Sequence, residues 1–170
     1  RRQRQMCIRD SYNDDPVTQD ARFCGTTASM CGIEAALFEK DDEKLKRGIR
    51  EDLMLHAYML TQSGIPMLYS SDEIGRLNDY SYKEDPDKAA DSRYIHRGAF
   101  QWELAGKRKS KSSVEGQIFQ TLSRMEQIRS QESVFDKDCD VYTYDVHDDS
   151  ILCILRQKGN ERFIGCLLYT

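Results

Sequence analysis

The sequence has little of several things. Proline occurs three times, histidine three times and tryptophan once in 170 residues, and no long apolar run is present. The longest mainly apolar stretch, Leu53 to Leu60, is interrupted by His56. It falls far short of the roughly 20 apolar residues a membrane helix needs, which excludes a lipid-spanning helix. The amino end has neither the apolar core nor the small-residue cleavage site of a secretory signal. No CxxC unit is found: Cys24, Cys31, Cys139, Cys153 and Cys166 are scattered, and His56, His96 and His147 lie far apart, so zinc-ligand spacing is missing. Five buried thiols in a reducing, cytoplasmic setting are expected instead. Phosphate cradles, Ser-His-Asp sets, redox motifs and internal repeats are absent too.

Charge, by contrast, is plentiful. Residues 1–11, with Cys7 among them, show no helical or strand period and carry four Arg and one Asp, so the chain beyond them stands at −7 against −4 for the whole. That acidic body is a poor match for phosphate backbones, and no nucleic-acid partner is expected. The opening segment is set aside as foreign to the fold, and the lack of an initiating Met suggests a partial chain.

Along the remainder, Tyr12 to Arg22 is polar and turn-rich and reads as a loop. Ala28, Cys31, Ala35 and Phe38 fall at helical spacing behind a Thr26 or Thr27 cap. Asp41, Asp42 and Glu43 open a second helix, whose apolar face is Leu45, Ile49, Leu53, Ala57 and Leu60 and which Gly64 ends. Ile65-Pro66-Met67-Leu68-Tyr69 then has the continuous apolar character of a buried parallel strand. Ser70 to Lys111 is a long charged loop, and Ser112-Ser113-Val114-Glu115 offers a capping box to a helix bearing Val114, Ile118, Leu122 and Met125. Beyond Ser130, segments 141–146, 151–156 and 163–168 read as strands joined by Asp148-Asp149 and Gly159-Asn160 turns. Pattern alone therefore gives an α/β portion followed by an all-β portion.

The run Gly64 to Gly75, with its Gly-Ile-Pro strand entering the acidic Asp72-Glu73 turn, resembles the last barrel strand of the α-amylase family of glycoside hydrolases. Leu77-Asn78-Asp79, Asp85 to Lys88 and Asp91-Ser92-Arg93-Tyr94-Ile95-His96-Arg97 resemble the eighth barrel loop of its amylosucrase branch. The likeness implies an α/β fold: the C-terminal part of a (β/α)8 TIM barrel over residues 12–132, then the start of an antiparallel β-sandwich over 133–170. It implies a glucosyltransferase that acts on sucrose and extends an α-1,4-glucan, with no cofactor and no metal. An α-glucosidase or amylase-type hydrolase is the alternative within the family, and a non-catalytic interaction subunit is the alternative outside enzymology. The nucleophile, the acid/base and a third Asp would all lie upstream of residue 12, so no catalytic residue is assigned and the polypeptide alone is expected to be inactive.

Among the residues present, the likeness assigns Arg93 to the glucose subsite, paired with an acidic residue of an early loop. A guanidinium fork suits that task, since it can hold a carboxylate and meet hydroxyls together. Asp91 would fix the loop, and His96 and Arg97 would face the acceptor side or support it. Asp72 and Glu73 are adjacent and so cannot flank one bond; Glu73 is expected to be a buried partner for an Arg or for backbone amides. Tyr80, Tyr82, Tyr94 and Trp102 are candidates to stack on sugar rings. Ser71 occupies a position where the family has Gly, so a positive φ there would strain it.

Overall fold

The computed structural model describes residues 11–15 and 20–168; the expectations for residues 1–10, including Cys7, lie outside the described residues. Five α-helices, several 3-10 turns and two antiparallel sheets make up the described fold.

β1 (Ser11–Asp15) and β2 (Asp20–Phe23) form a two-stranded antiparallel ribbon where a loop was expected. The helical stretch after Thr26 is broken in two. α1 (Thr27–Met30) is capped by the Thr26 hydroxyl, and α2 (Ile33–Glu39) starts behind Gly32, whose φ of 83° no helix tolerates. The break turns Phe38 out to 89 % exposure, against the expectation that it shares the apolar face.

α3 (Asp42–Thr61) has the expected bounds and the expected cap. The Asp41 carboxylate accepts from the Glu43 and Lys44 amides, and Asp42 and Glu43 complement the positive end of the helix. α4 (Trp102–Gly106) is one short turn, and α5 (Val114–Gln131) is capped by the Ser113 hydroxyl accepting from the Gly116 amide. The core lies between α1, α2, α3 and α5. Ala28, Ile33, Ile49, Ile118 and Leu122 are buried there, with Leu45, Leu53, Leu77, Val114 and Met125 packed around them.

β3 (Asp140–Tyr144), β4 (Ile151–Lys158) and β5 (Glu161–Leu168) form an antiparallel meander in the order of the chain, with Lys158 paired to Glu161 across the Gly159-Asn160 turn. One face of this sheet packs on the end of α3: Arg156 is buried there, and Thr61 sits beside Gly165. The other face leaves Tyr142, Tyr144, Ile164 and Leu168 exposed.

This arrangement overturns the barrel expectation. Both sheets among the described residues are antiparallel, and neither contains residues 65–69. That segment joins no strand ladder, with Ile65 91 % and Met67 82 % exposed, so it is not a buried parallel strand. A strand needs neighbours to bond to. None runs beside this one, and Pro66 contributes no amide. The described chain is therefore not a piece of a TIM barrel, and its single three-stranded sheet has no facing sheet to make a sandwich. The buried-thiol expectation also fails in part, because Cys31 and Cys153 are buried, Cys24 and Cys139 are half-buried and Cys166 is exposed.

Candidate functional site in the 70–111 loop

The long loop is charged, as its composition indicates, yet it is ordered by short side chains that cap its own backbone. Asp79 accepts from the Ser81 amide, Asp85 from the Asp87 amide and Asp91 from the Arg93 amide, each starting a tight turn. Asn78 ties the loop to α1: its side-chain oxygen accepts from the Thr26 amide at 2.9 Å, and its own amide donates to the Ser29 hydroxyl at 3.0 Å. The Asp79 amide donates to the Ile95 carbonyl, and Arg76 Nη1 donates to the Gly98 carbonyl at 2.7 Å.

On this frame Arg93 and Asp91 form a fork. Arg93 Nε lies 2.8 and 3.0 Å from the two Asp91 carboxylate oxygens, and Nη2 lies 2.7 Å from Oδ2. The Arg93 guanidinium beside it is the main reason the Asp91 carboxyl is held down at about 2. One partner of Arg93 is thus two residues away on the same turn. The pair fixes the plane of the guanidinium at the surface, and the side chains remain 38 % and 25 % exposed.

His96 lies edge-on to the Tyr69 ring, 5.5 Å between centroids, and is half-buried. Burial first, then the charges of Arg97 and Arg76, push its pKa below the ordinary value of 6.5, so it is neutral at pH 7. Tyr82 is buried and packs the loop, whereas Tyr80 and Trp102 are exposed, Trp102 to 79 %. Trp102 meets Phe100 edge to face at 4.7 Å, and Arg97 lies over the Tyr94 ring.

A second cluster lies behind the loop. His56 is buried on α3, with Nδ1 2.8 Å from the Asp52 carbonyl oxygen and 3.4 Å from the Asp52 carboxylate, and Nε2 3.7 Å from the Asp72 carboxylate. The carboxylates therefore lie on opposite sides of one imidazole. Burial pulls the His56 pKa down, but Asp52 and Asp72 outweigh it and raise the group to about 10. His56 is a fixed cation at neutral pH, and it holds the 3-10 turn Asp72–Ile74 against α3. Composition gives no hint of this, since His56 reads as an interruption of an apolar run. The available signal was spacing: Asp52 and His56 are four residues apart and so share a helix face.

Asp72 is thus committed to His56. Glu73 lines a shallow cleft with Tyr69, Phe119 and Glu126, and it forms no hydrogen bond or ion pair among the described residues. Among the described residues, neither an Arg nor a backbone amide pairs with Glu73.

Ser71 does take a left-handed conformation, φ 81°, and it is fully buried with a hydroxyl that has no hydrogen-bond partner. Both features cost stability. Ser71→Gly is expected to raise the unfolding free energy by about 1–2 kcal/mol, because Gly adopts this φ freely and carries no hydroxyl to strand. Urea denaturation of the two proteins checks it; an unchanged or lower midpoint would mean that the turn is not strained at this residue.

No protein-family model matches the chain. Among the described residues, no helix is long and apolar enough to cross a membrane.

Proposed function

We propose that the chain is a sugar-recognising segment of a glucosyltransferase that takes the glucosyl unit of sucrose and adds it to an α-1,4-glucan. The observation that carries this reading is the Asp91–Arg93 fork, a guanidinium fixed in plane at the surface of a loop whose backbone is pinned at both ends. A guanidinium in that state presents donors to sugar hydroxyls with little ordering left to do on binding. The likeness of segments within residues 77–97 to the amylosucrase loop supports the reading, as does the exposed Trp102 on the same loop, since sugars present apolar faces to aromatic rings. The reading places the catalytic carboxylates outside the 170 residues, so no turnover of sucrose by this polypeptide alone is expected.

Trp102 is the sole tryptophan and reports on the loop directly. Titration with sucrose and with a malto-oligosaccharide is expected to shift its emission, and Arg93→Ala is expected to weaken the response to sucrose. In an enzyme that contains this segment together with its carboxylates, Arg93→Ala is expected to lower kcat/KM for sucrose by about 10- to 100-fold, the size of one or two lost charge-assisted hydrogen bonds. Arg93→Lys restores little, because an ammonium has no fork. An unchanged kcat/KM in Arg93→Ala would sink the assignment. Release of glucose in place of polymer would move it to the hydrolases.

A further inference from the structure

The cysteines are scattered in sequence, but the register of the sheet brings two of them together. Cys153 on β4 and Cys166 on β5 are direct cross-strand partners, and their sulfurs lie 3.6 Å apart. Counting back from Lys158–Glu161, which closes the turn, hydrogen-bonded and non-hydrogen-bonded pairs alternate, and Cys153–Cys166 falls on a non-hydrogen-bonded pair. Opposing Cα atoms at such pairs are about 4.5 Å apart, inside the range of roughly 4.4–6.8 Å that a disulfide spans. No other two cysteine sulfurs are paired among the described residues. Cys24 accepts from Ser92, Cys139 donates to the Val134 carbonyl, and Cys31 is sealed in the core, where burial and then the charges of Asp52 and Glu51 push it up to about 12.

The two partners differ in access. Cys166 is exposed on the open face of the sheet, while Cys153 is buried between Tyr144 on one side and Cys166 on the other. We propose that Cys153 and Cys166 form a redox-responsive dithiol that closes to an intramolecular disulfide on exchange with a small disulfide such as oxidised glutathione. The Cys166 thiolate attacks one sulfur of glutathione disulfide, breaking its S–S bond, forming a mixed disulfide and releasing one glutathione thiol. Cys153 gives its proton to solvent and attacks Cys166 Sγ, which expels the second glutathione as a thiol. Two protein thiols are oxidised and one glutathione disulfide is reduced to two thiols, so the exchange balances. The order follows from access and from proton affinity: the neighbouring Cys166 and burial hold the Cys153 thiol above its ordinary value. The sulfurs close the remaining gap by small χ1 rotations, because the strands already hold the Cβ atoms side by side.

The test is peptide mapping of the 170-residue chain after equilibration with glutathione disulfide and alkylation under native conditions. The expected product is a monomer two hydrogens lighter, with a tryptic cross-link between the peptide ending at Arg156 and the peptide beginning at Phe163, reversed by dithiothreitol. Fragment sequencing must place the bond on Cys153, since Cys139 shares that first peptide. Cys153→Ser is expected to stop at a glutathione adduct on Cys166. Alkylation of both cysteines after equilibration would overturn the proposal, as would a bond from Cys166 to Cys139 or a disulfide-linked dimer. Should Cys153→Ser fail to fold, the map of the unsubstituted chain decides the matter alone.

Discussion

His56→Ala is expected to lower the unfolding free energy by about 3–5 kcal/mol, the cost of leaving a buried charge without its partner. Asp52 is 1 % exposed, and its two carboxylate oxygens have no hydrogen-bond partner, so the imidazolium of His56 is what compensates its charge. Without it the carboxylate is left buried with no opposite charge beside it. Adding Asp52→Asn to His56→Ala is expected to recover part of the loss, which separates the charge from the cavity that the missing ring leaves. The pH dependence has a definite sign. The folded state raises His56 from 6.5 to about 10, so folding favours the protonated ring. Below 6.5 both states carry the proton and the contribution is present in full. As pH rises from there the unfolded chain loses its proton first, and the contribution is gone once pH passes about 10. Urea titrations across that window should therefore show stability falling with pH in the native chain and a flatter profile in His56→Ala. Equal slopes would show that His56 is not the charged bridge described.

Arg156→Met is expected to cost about 2–4 kcal/mol, read in the same denaturation experiment. Arg156 is 1 % exposed and has no carboxylate partner among the described residues; its Nε donates to the Val134 carbonyl at 2.8 Å and its Nη1 to the Thr61 carbonyl at 2.9 Å. Arg129 reaches the same place from α5, donating to the carbonyls of Leu60, Gln62 and Gly64. Four carbonyls at the end of α3 and just beyond it are thus met by two guanidinium groups, where the helix end is partially negative and amides are lacking. The Phe135 ring lies near both cations, 5.0 Å from the Arg156 guanidinium carbon and 5.4 Å from that of Arg129. Methionine keeps most of the apolar stem but none of the donors, so the loss measures the polar contacts and not packing alone. A change below about 1 kcal/mol would mean that solvent satisfies these carbonyls when the arginine is gone. Arg129 is more exposed, and its replacement should cost less. Because the two share Phe135 and the helix end, their double mutant should depart from additivity.

What could be read in the sequence was local. The apolar face of α3, the Ser113-led start of α5 and the Gly159-Asn160 turn each follow from residues within a few positions of one another, and they stand where spacing puts them. Asp91 likewise orders its turn through its neighbour Arg93. What failed was set over distance. An apolar run such as 65–69 reads the same whether or not a neighbouring strand exists, and here none runs beside it among the described residues. Arg156 looks like a surface residue of a strand until its partner Thr61, 95 positions away, is known. Cys153 and Cys166 show no motif because their proximity comes from strand register, not from a local spacing. Asp52 and His56 stood at a readable spacing, but a polar pair on a helix is ordinarily a solvated one, and only the turn at Asp72 makes it a buried bridge.

The two bonds at Asn78 have a mechanical consequence. They span 52 and 49 positions and join the start of α1 to the start of the loop, so the chain between them is a closed ring fastened by one side chain and one peptide group. The entropy of closing such a ring grows only with the logarithm of its length. Extra residues spliced into its exposed stretch near Phe38–Lys40 would barely loosen the fastening. Truncating the side chain at Asn78 would remove one of the two fastenings and leave the bond from its peptide amide to the Ser29 hydroxyl to hold that end of the loop that carries Arg93.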